Sequence, residues 1–174
     1  MKWLRTPLVL SLFLCGGCEQ HQKAAPAQQS SQTPDRPIAN AFPEASEVRL
    51  FVETDIDQQG KATLKKPKGL VLSAEQRKAF ESLIKIHTIA PDDAFAACFI
   101  PHHFFRYYDE SGEVIGEFAV CFCCSGIEQS GASNIDLSKN QMLGADFRKL
   151  EAFVRSLGER TDVQCSEDRG ESSS

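Results

Sequence analysis

A chain of 174 residues is long enough for one ordinary domain and too short for two comfortable ones, which excludes a multi-domain enzyme. Hydrophobic residues at 41% and charged residues at 25% exclude a wholly disordered chain and a multi-span membrane protein, and a net charge of −5 speaks against a nucleic-acid partner, since phosphate binding needs clustered Lys and Arg. Seven cysteines are the departure from average, and an odd number cannot all pair within one chain.

The first residues carry a basic n-region (Lys2, Arg5), an apolar stretch from Leu8 to Leu14, and small residues before a cysteine. The stretch is too short for a bilayer span, which needs about 20 apolar residues. Leu14-Cys15-Gly16-Gly17-Cys18 resembles the lipobox of bacterial lipoproteins, where small residues allow cleavage just before a cysteine that takes the lipid. The resemblance implies a signal peptide over 1–17 and lipidation at Cys18, which two glycines precede, rather than at Cys15, which follows bulky Leu14. The departure from the family pattern is Cys15 itself, which holds the place where a leucine normally stands. Cleavage there removes two of the 19 basic residues and leaves 17 against 24 acids, so the mature chain is acidic. Glu19 occupies the place where the family's inner-membrane retention signal is Asp, which favours the outer membrane. The expected location is therefore the bacterial cell envelope, membrane-anchored and facing the periplasm. The expected partners are the membrane, through the lipid, and an envelope component that the sequence does not name.

From 18 to 45 the composition turns to Gln, Ala, Ser and Pro, with Pro26, Pro34, Pro37 and Pro43, and a flexible tether is expected. A single domain over 46–165 follows, then a polar, disordered tail over 166–174. Val48, Leu50 and Val52 alternate as in a strand, with a turn over Asp55 to Gly60 and a short strand around Ala62 to Leu64. Ser73-Ala74-Glu75-Gln76 fits a capping box, and Ala79, Phe80, Leu83, Ile84 and His87 fall on one stripe, predicting a helix from about 74 to 87. The aromatic-rich run 102–108, the turn chemistry of Asp109 to Gly112 and the β-prone run 114–122 predict a hairpin. Leu143, Phe147, Leu150, Val154 and Leu157 recur at helical spacing, with Gly158 as a stop. The fold class is α+β, a small antiparallel sheet with a β-hairpin and two helices packed on one face.

The informative constellation is Cys98-x-x-x-His102-His103 followed across the hairpin by Cys121-Phe122-Cys123-Cys124. With Tyr108 opposite Glu113, Cys98 faces Cys123 and His102 faces Ala119, so Cys98, His102, Cys121 and Cys123 share one side of the sheet. Three thiolates and an imidazole on one face match a tetrahedral zinc site. A slip by one residue would break that face, and Pro101 removes a ladder donor next to it. The competing reading is disulfides: Cys98 with Cys123 or Cys121, and Cys124 with Cys165, as exported proteins meet oxidising conditions. A third reading makes Cys121 or Cys123 a reactive thiol whose pKa is lowered by His102 or His103.

Cys-x-x-Pro-His-His, an aromatic strand, Tyr-Asp-x-x-Gly and Val-Cys-Phe-x-Cys, over Cys98 to Ser125, resemble a group of small exported bacterial proteins and lipoproteins without an established activity. That group carries one histidine after a basic residue. The resemblance therefore makes His103 the closer match as a ligand, with His102 in the place of the basic residue. Cys124 and Cys165 fall outside the shared motif, which implies a disulfide between them private to this chain.

Asp55-x-Asp57-x-Gln59-Gly60 opens like a calcium loop, but Lys66 stands where a bidentate Glu is required, so calcium is not expected. Four lysines in Lys61 to Lys68 read as a solvated edge guarding a strand, with anionic headgroups as the alternative contact. No Ser-His-Asp signature, phosphate loop or haem motif is present. A closed Cys₃His site leaves no open position for water, so binding is expected rather than catalysis.

Overall fold

The fold is taken from a computed structural model, which describes residues 35–38, 40–56, 62–89 and 99–165. In chain order these form β1 (Arg36–Pro37), β2 (Glu47–Ile56), β3 (Ala62–Leu64), β4 (Leu70–Val71), α1 (Ala74–Leu83), β5 (Ile84–Thr88), β6 (His103–Tyr108), β7 (Val114–Cys121), β8 (Gly126–Gly131), β9 (Gln141–Ala145) and α2 (Phe147–Ser156). The class is α+β. A larger antiparallel sheet runs β3-β2-β6-β7-β8, with β4 also on β2, and a smaller one runs β1-β5-β9. The expected tail and most of the expected signal and tether, including Cys15 and Cys18, lie outside the described residues. Among the described residues, no helix is long and apolar enough to cross a membrane.

Strand alternation decides which side of the larger sheet is wet. Val48, Leu50 and Val52 on β2, His103, Phe105 and Tyr107 on β6, and Phe118 and Val120 on β7 are all buried. The intervening residues are mostly only partly covered. Both helices add to this buried face. Phe80 of α1 stacks on Phe105 at 3.7 Å between ring centroids, and Leu150 and Val154 of α2 join the same core. Ser73 accepts from the Gln76 backbone N–H while the Gln76 side chain accepts from the Ser73 N–H, so the expected capping box starts α1.

Three boundaries differ from the sequence reading. Helix α1 ends at Leu83, not near 87, because Ile84, Ile86 and Thr88 are β-branched at every second position. Ile84 and His87 thus lie on β5, which pairs with β9. Leu143 likewise belongs to β9, and α2 begins after Asp146, whose carboxylate accepts from the Lys149 N–H. The ordered domain also starts ahead of residue 46. Arg36 and Pro37 pair with β5, and Ile38, Ala41 and Phe42 are buried in the core. The prolines of this segment mask three apolar residues that the domain needs.

The hairpin is built, but its register differs by two residues. Tyr108 stands opposite Val114 rather than Glu113, and Tyr107 opposite Gly116, which leaves Ile115 as a bulge. The connection lengthens because the Asp109 side chain accepts from the backbone N–H groups of both Ser111 and Glu113, while Gly112 takes a left-handed φ of 84°. One residue from the loop and one from the bulge make an even shift, so each side chain keeps its face. His103 consequently faces Val120.

Candidate functional site

The predicted site residues gather where β6 begins and β7 ends. Cys121 closes β7, the chain turns through Phe122 to Ser125, and Gly126, paired with Cys121, opens β8. Ser125 takes a positive φ of 50° to bring the chain round. This turn holds Cys123 and Cys124, both partly exposed, whereas Cys121 is 3% exposed. Two disulfides occupy the corner. Cys121 pairs with Cys124, three residues on, with 5.6 Å between Cα atoms, and Cys123 pairs with Cys165, 42 residues on, with 5.4 Å. Both separations lie in the ordinary range for a bridge.

Cys165 is thus bonded to Cys123 rather than to Cys124. Cys121 and Cys123, expected as thiolate ligands, are each taken up in a disulfide. Cys98 lies outside the described residues. Among the described residues, no group of three or more His, Cys, Asp or Glu side chains is placed to hold a metal ion. His102 and His103 also part company, since neighbouring residues on a strand point to opposite faces. His102 sits just ahead of β6; its N–H donates to the Val120 carbonyl and its Nδ1 lies 3.2 Å from Glu53 Oε2. His103 points inward, 1% exposed, with its ring edge-on to Phe122 at 4.7 Å.

The inward histidine is tied to the C-terminal segment. Its Nε2–H donates to the Arg160 carbonyl at 2.5 Å, which fixes the tautomer and leaves Nδ1 buried without a hydrogen-bond partner. Burial pushes its pKa down to about 4. The Arg160 carbonyl opposes that shift, His102 adds to it, and Glu159 and Asp162 oppose it more weakly. The ring is therefore neutral at physiological pH.

Residues 158–165 form a strap held at several points. Lys65 and Lys66 each place Nζ 2.8 Å from a different oxygen of the Glu159 carboxylate, whose side chain is 1% exposed. Lys65 also donates to the Gly158 carbonyl, Arg155 donates to the Thr161 hydroxyl, and Cys165 is bonded to Cys123. Burial raises the carboxyl of Glu159, but the two ammonium groups outweigh it and hold the pKa below the usual carboxylate value. Lys65 and Lys66 therefore clamp the strap, a contact that the reading of a solvated edge does not contain. A cleft of about 120 Å³ lies against the strap, lined by Val52, Thr54, Lys65, Arg160, Val163 and Gln164.

The pair that sequence reasoning misses is Cys121 with Cys124. Its signal is the spacing C-x-x-C, hidden when Cys121-x-Cys123 is read as two ligands on one strand face. The Cys124 backbone N–H points at Cys121 Sγ, 3.2 Å away. No family model matches the chain, and neither a curated protein nor a solved structure matches it.

Proposed function

We propose that this chain is a lipid-anchored protein of the bacterial cell envelope whose α+β domain works by binding, with the cysteine and histidine corner serving as a structural lock. The observation that carries the reading is the convergence of the Cys123–Cys165 disulfide, His103 and the Lys65–Glu159–Lys66 clamp on one strap. Disulfides persist in exported proteins and are rare where glutathione and thioredoxin keep thiols reduced. The lipobox-like run ending in Cys18 agrees with export, and the strap-side cleft, with Val52 and Val163 beside Thr54, Lys65, Arg160 and Gln164, is where a small, largely apolar group would be bound.

Two measurements test this on the full chain. Membrane fractionation should find the protein with membranes and Cys18→Ala released from them; unchanged fractionation of Cys18→Ala would defeat the anchor. Thiol titration under denaturing conditions should give one thiol beyond Cys18 in the processed chain before reduction and five after it. Five thiols without reductant, together with stoichiometric zinc, would replace the disulfide lock by the metal site.

A further inference from the structure

We propose that Cys121–Cys124 is a thiol–disulfide exchange site, with Cys124 the sulfur attacked and Cys121 the sulfur that leaves. The inference goes beyond the lock and needs only that both disulfides form; it does not depend on the lipid anchor.

The two bridges differ in what they do for the chain. Cys123–Cys165 closes a loop of 42 residues and fastens the strap. Cys121–Cys124 joins the two ends of a turn that β7 and β8 already hold together through their ladder, so the fold has little need of it. Its C-x-x-C spacing is that of reactive dithiols.

Exposure sets the direction of attack. Cys121 is 3% exposed at the end of its strand, while Cys124 stands partly exposed on the turn. An incoming thiolate therefore reaches Cys124 Sγ. Its electron pair forms the new S–S bond as the Cys121–Cys124 bond breaks, and that bond's pair leaves on Cys121 Sγ. There the Cys124 N–H, already 3.2 Å away, donates to the developing thiolate. A better-stabilised leaving thiolate leaves faster. When the donor is a dithiol, its second thiolate attacks the donor's own sulfur in the mixed disulfide and expels Cys124. The donor ends as a disulfide, its two protons pass to Cys121 and Cys124, and the reverse reaction spends the Cys121 and Cys124 thiols to reduce a partner's disulfide.

The surroundings suit a cysteine carried by a polypeptide. The Phe99 ring fills the place where a side chain on Gly126 would stand, Cys124 Sγ lies 3.5 Å from that same place, and the next side chain, Ile100, is 61% exposed. An apolar contact beside the reacting sulfur favours a peptide over a small, highly polar thiol. The substrate class is therefore a cysteine thiol or dithiol, with the peptide as the favoured source.

The test uses the full chain in detergent, equilibrated in graded mixtures of reduced and oxidised glutathione and, in parallel, with a cysteine-containing peptide bearing apolar flanks. Each sample is acid-quenched, alkylated and mapped by mass spectrometry. Cys121 and Cys124 should become alkylated at a thiol-to-disulfide ratio at least tenfold milder than Cys123 and Cys165. The trapped adduct should sit on Cys124, and the peptide should react faster than glutathione. Co-reduction of both bridges in one step with unfolding, or an adduct on Cys121, would overturn the proposal. A faster reaction with glutathione would overturn the peptide as substrate. Five thiols before any reductant would instead be the failure of the disulfide lock itself.

Discussion

The ring of Phe42 fills the space where a side chain on Gly116 would be. A Cβ built on Gly116 would overlap the Phe42 ring, which lies 4.5 Å from the Tyr107 ring and 5.8 Å from that of Phe118, centroid to centroid. The bulge at Ile115 puts Gly116 opposite Tyr107, so the hairpin irregularity and the entry of the N-terminal segment into the core are one arrangement. Gly116→Ala and Phe42→Ala are both expected to destabilise the domain, the first by overpacking and the second by about 3–5 kcal/mol of lost burial. Urea unfolding measures both. A chain begun at residue 46 should unfold at lower urea than one begun at residue 32; equal midpoints would show that Phe42 contributes nothing.

A second prediction concerns how that segment is held. Arg77 donates to the carbonyls of Phe42 and Ala45 and to the Asn40 side chain, while Nε bonds the buried Glu81 carboxylate at 3.0 Å. Tyr107 OH and the Asn40 N–H complete the shell of Glu81 at 3.1 Å each. Arg77→Ala strands a buried carboxylate, and about 3 kcal/mol or more should be lost. Arg77→Lys keeps the charge but not the planar fork, and should fall between the two. Glu81→Gln, which keeps the partners but removes the charge, should partly rescue Arg77→Ala in a double-mutant cycle.

Much of this was legible in the sequence because it rests on short-range chemistry. The capping box at Ser73, the alternation of Val48, Leu50 and Val52 and the turn at Asp109 are all local patterns that tertiary contacts reinforce. The failures have a common cause. Ile84, His87 and Leu143 fit a helical stripe and a strand equally well over a few residues, and only the pairing of β5 with β9 decides. Phe42 is invisible among prolines, since its partner is a glycine 74 positions on. At the site, the residues were found but not their partners. Cys123 and Cys124 lie on the turn beyond the end of β7, where strand alternation no longer applies, so parity cannot say which of Cys121, Cys123 and Cys124 is near Cys165.

The third prediction separates the two bridges by stability. The chain-entropy argument gives about 4 kcal/mol for closing 42 residues and about half as much for Cys121-x-x-Cys124, before any contribution from the intact hairpin ladder. Cys123→Ser combined with Cys165→Ser should therefore lower the unfolding free energy by several kcal/mol, and Cys121→Ser with Cys124→Ser by clearly less. Double replacements avoid a stray thiol that could reshuffle the remaining bridge. Hydrogen exchange should show the first pair loosening residues 158–165 while the second leaves the strap protected. Equal losses in the two variants would contradict the division of labour between the bridges.

The last prediction is the pH dependence set by His103. Its folded pKa of about 4 lies below the ordinary value of 6.5, so between these limits the unfolded chain binds the proton that the fold refuses. The sign follows: stability from this group is complete above about pH 6.5 and is lost progressively as pH falls towards 4, by up to about 3 kcal/mol. Glu159, Asp109, Asp146 and Asp162 have lowered carboxyl pKa values, so their own contributions fade only as acid reaches the carboxylate range. The window from about 6.5 to 4.5 thus belongs chiefly to His103 among the groups with shifted values. His103→Gln can still donate to the Arg160 carbonyl through its amide but takes up no proton. Urea midpoints measured across that window should slope for the native chain and flatten for His103→Gln, and the same slope in both would assign the pH sensitivity to another group.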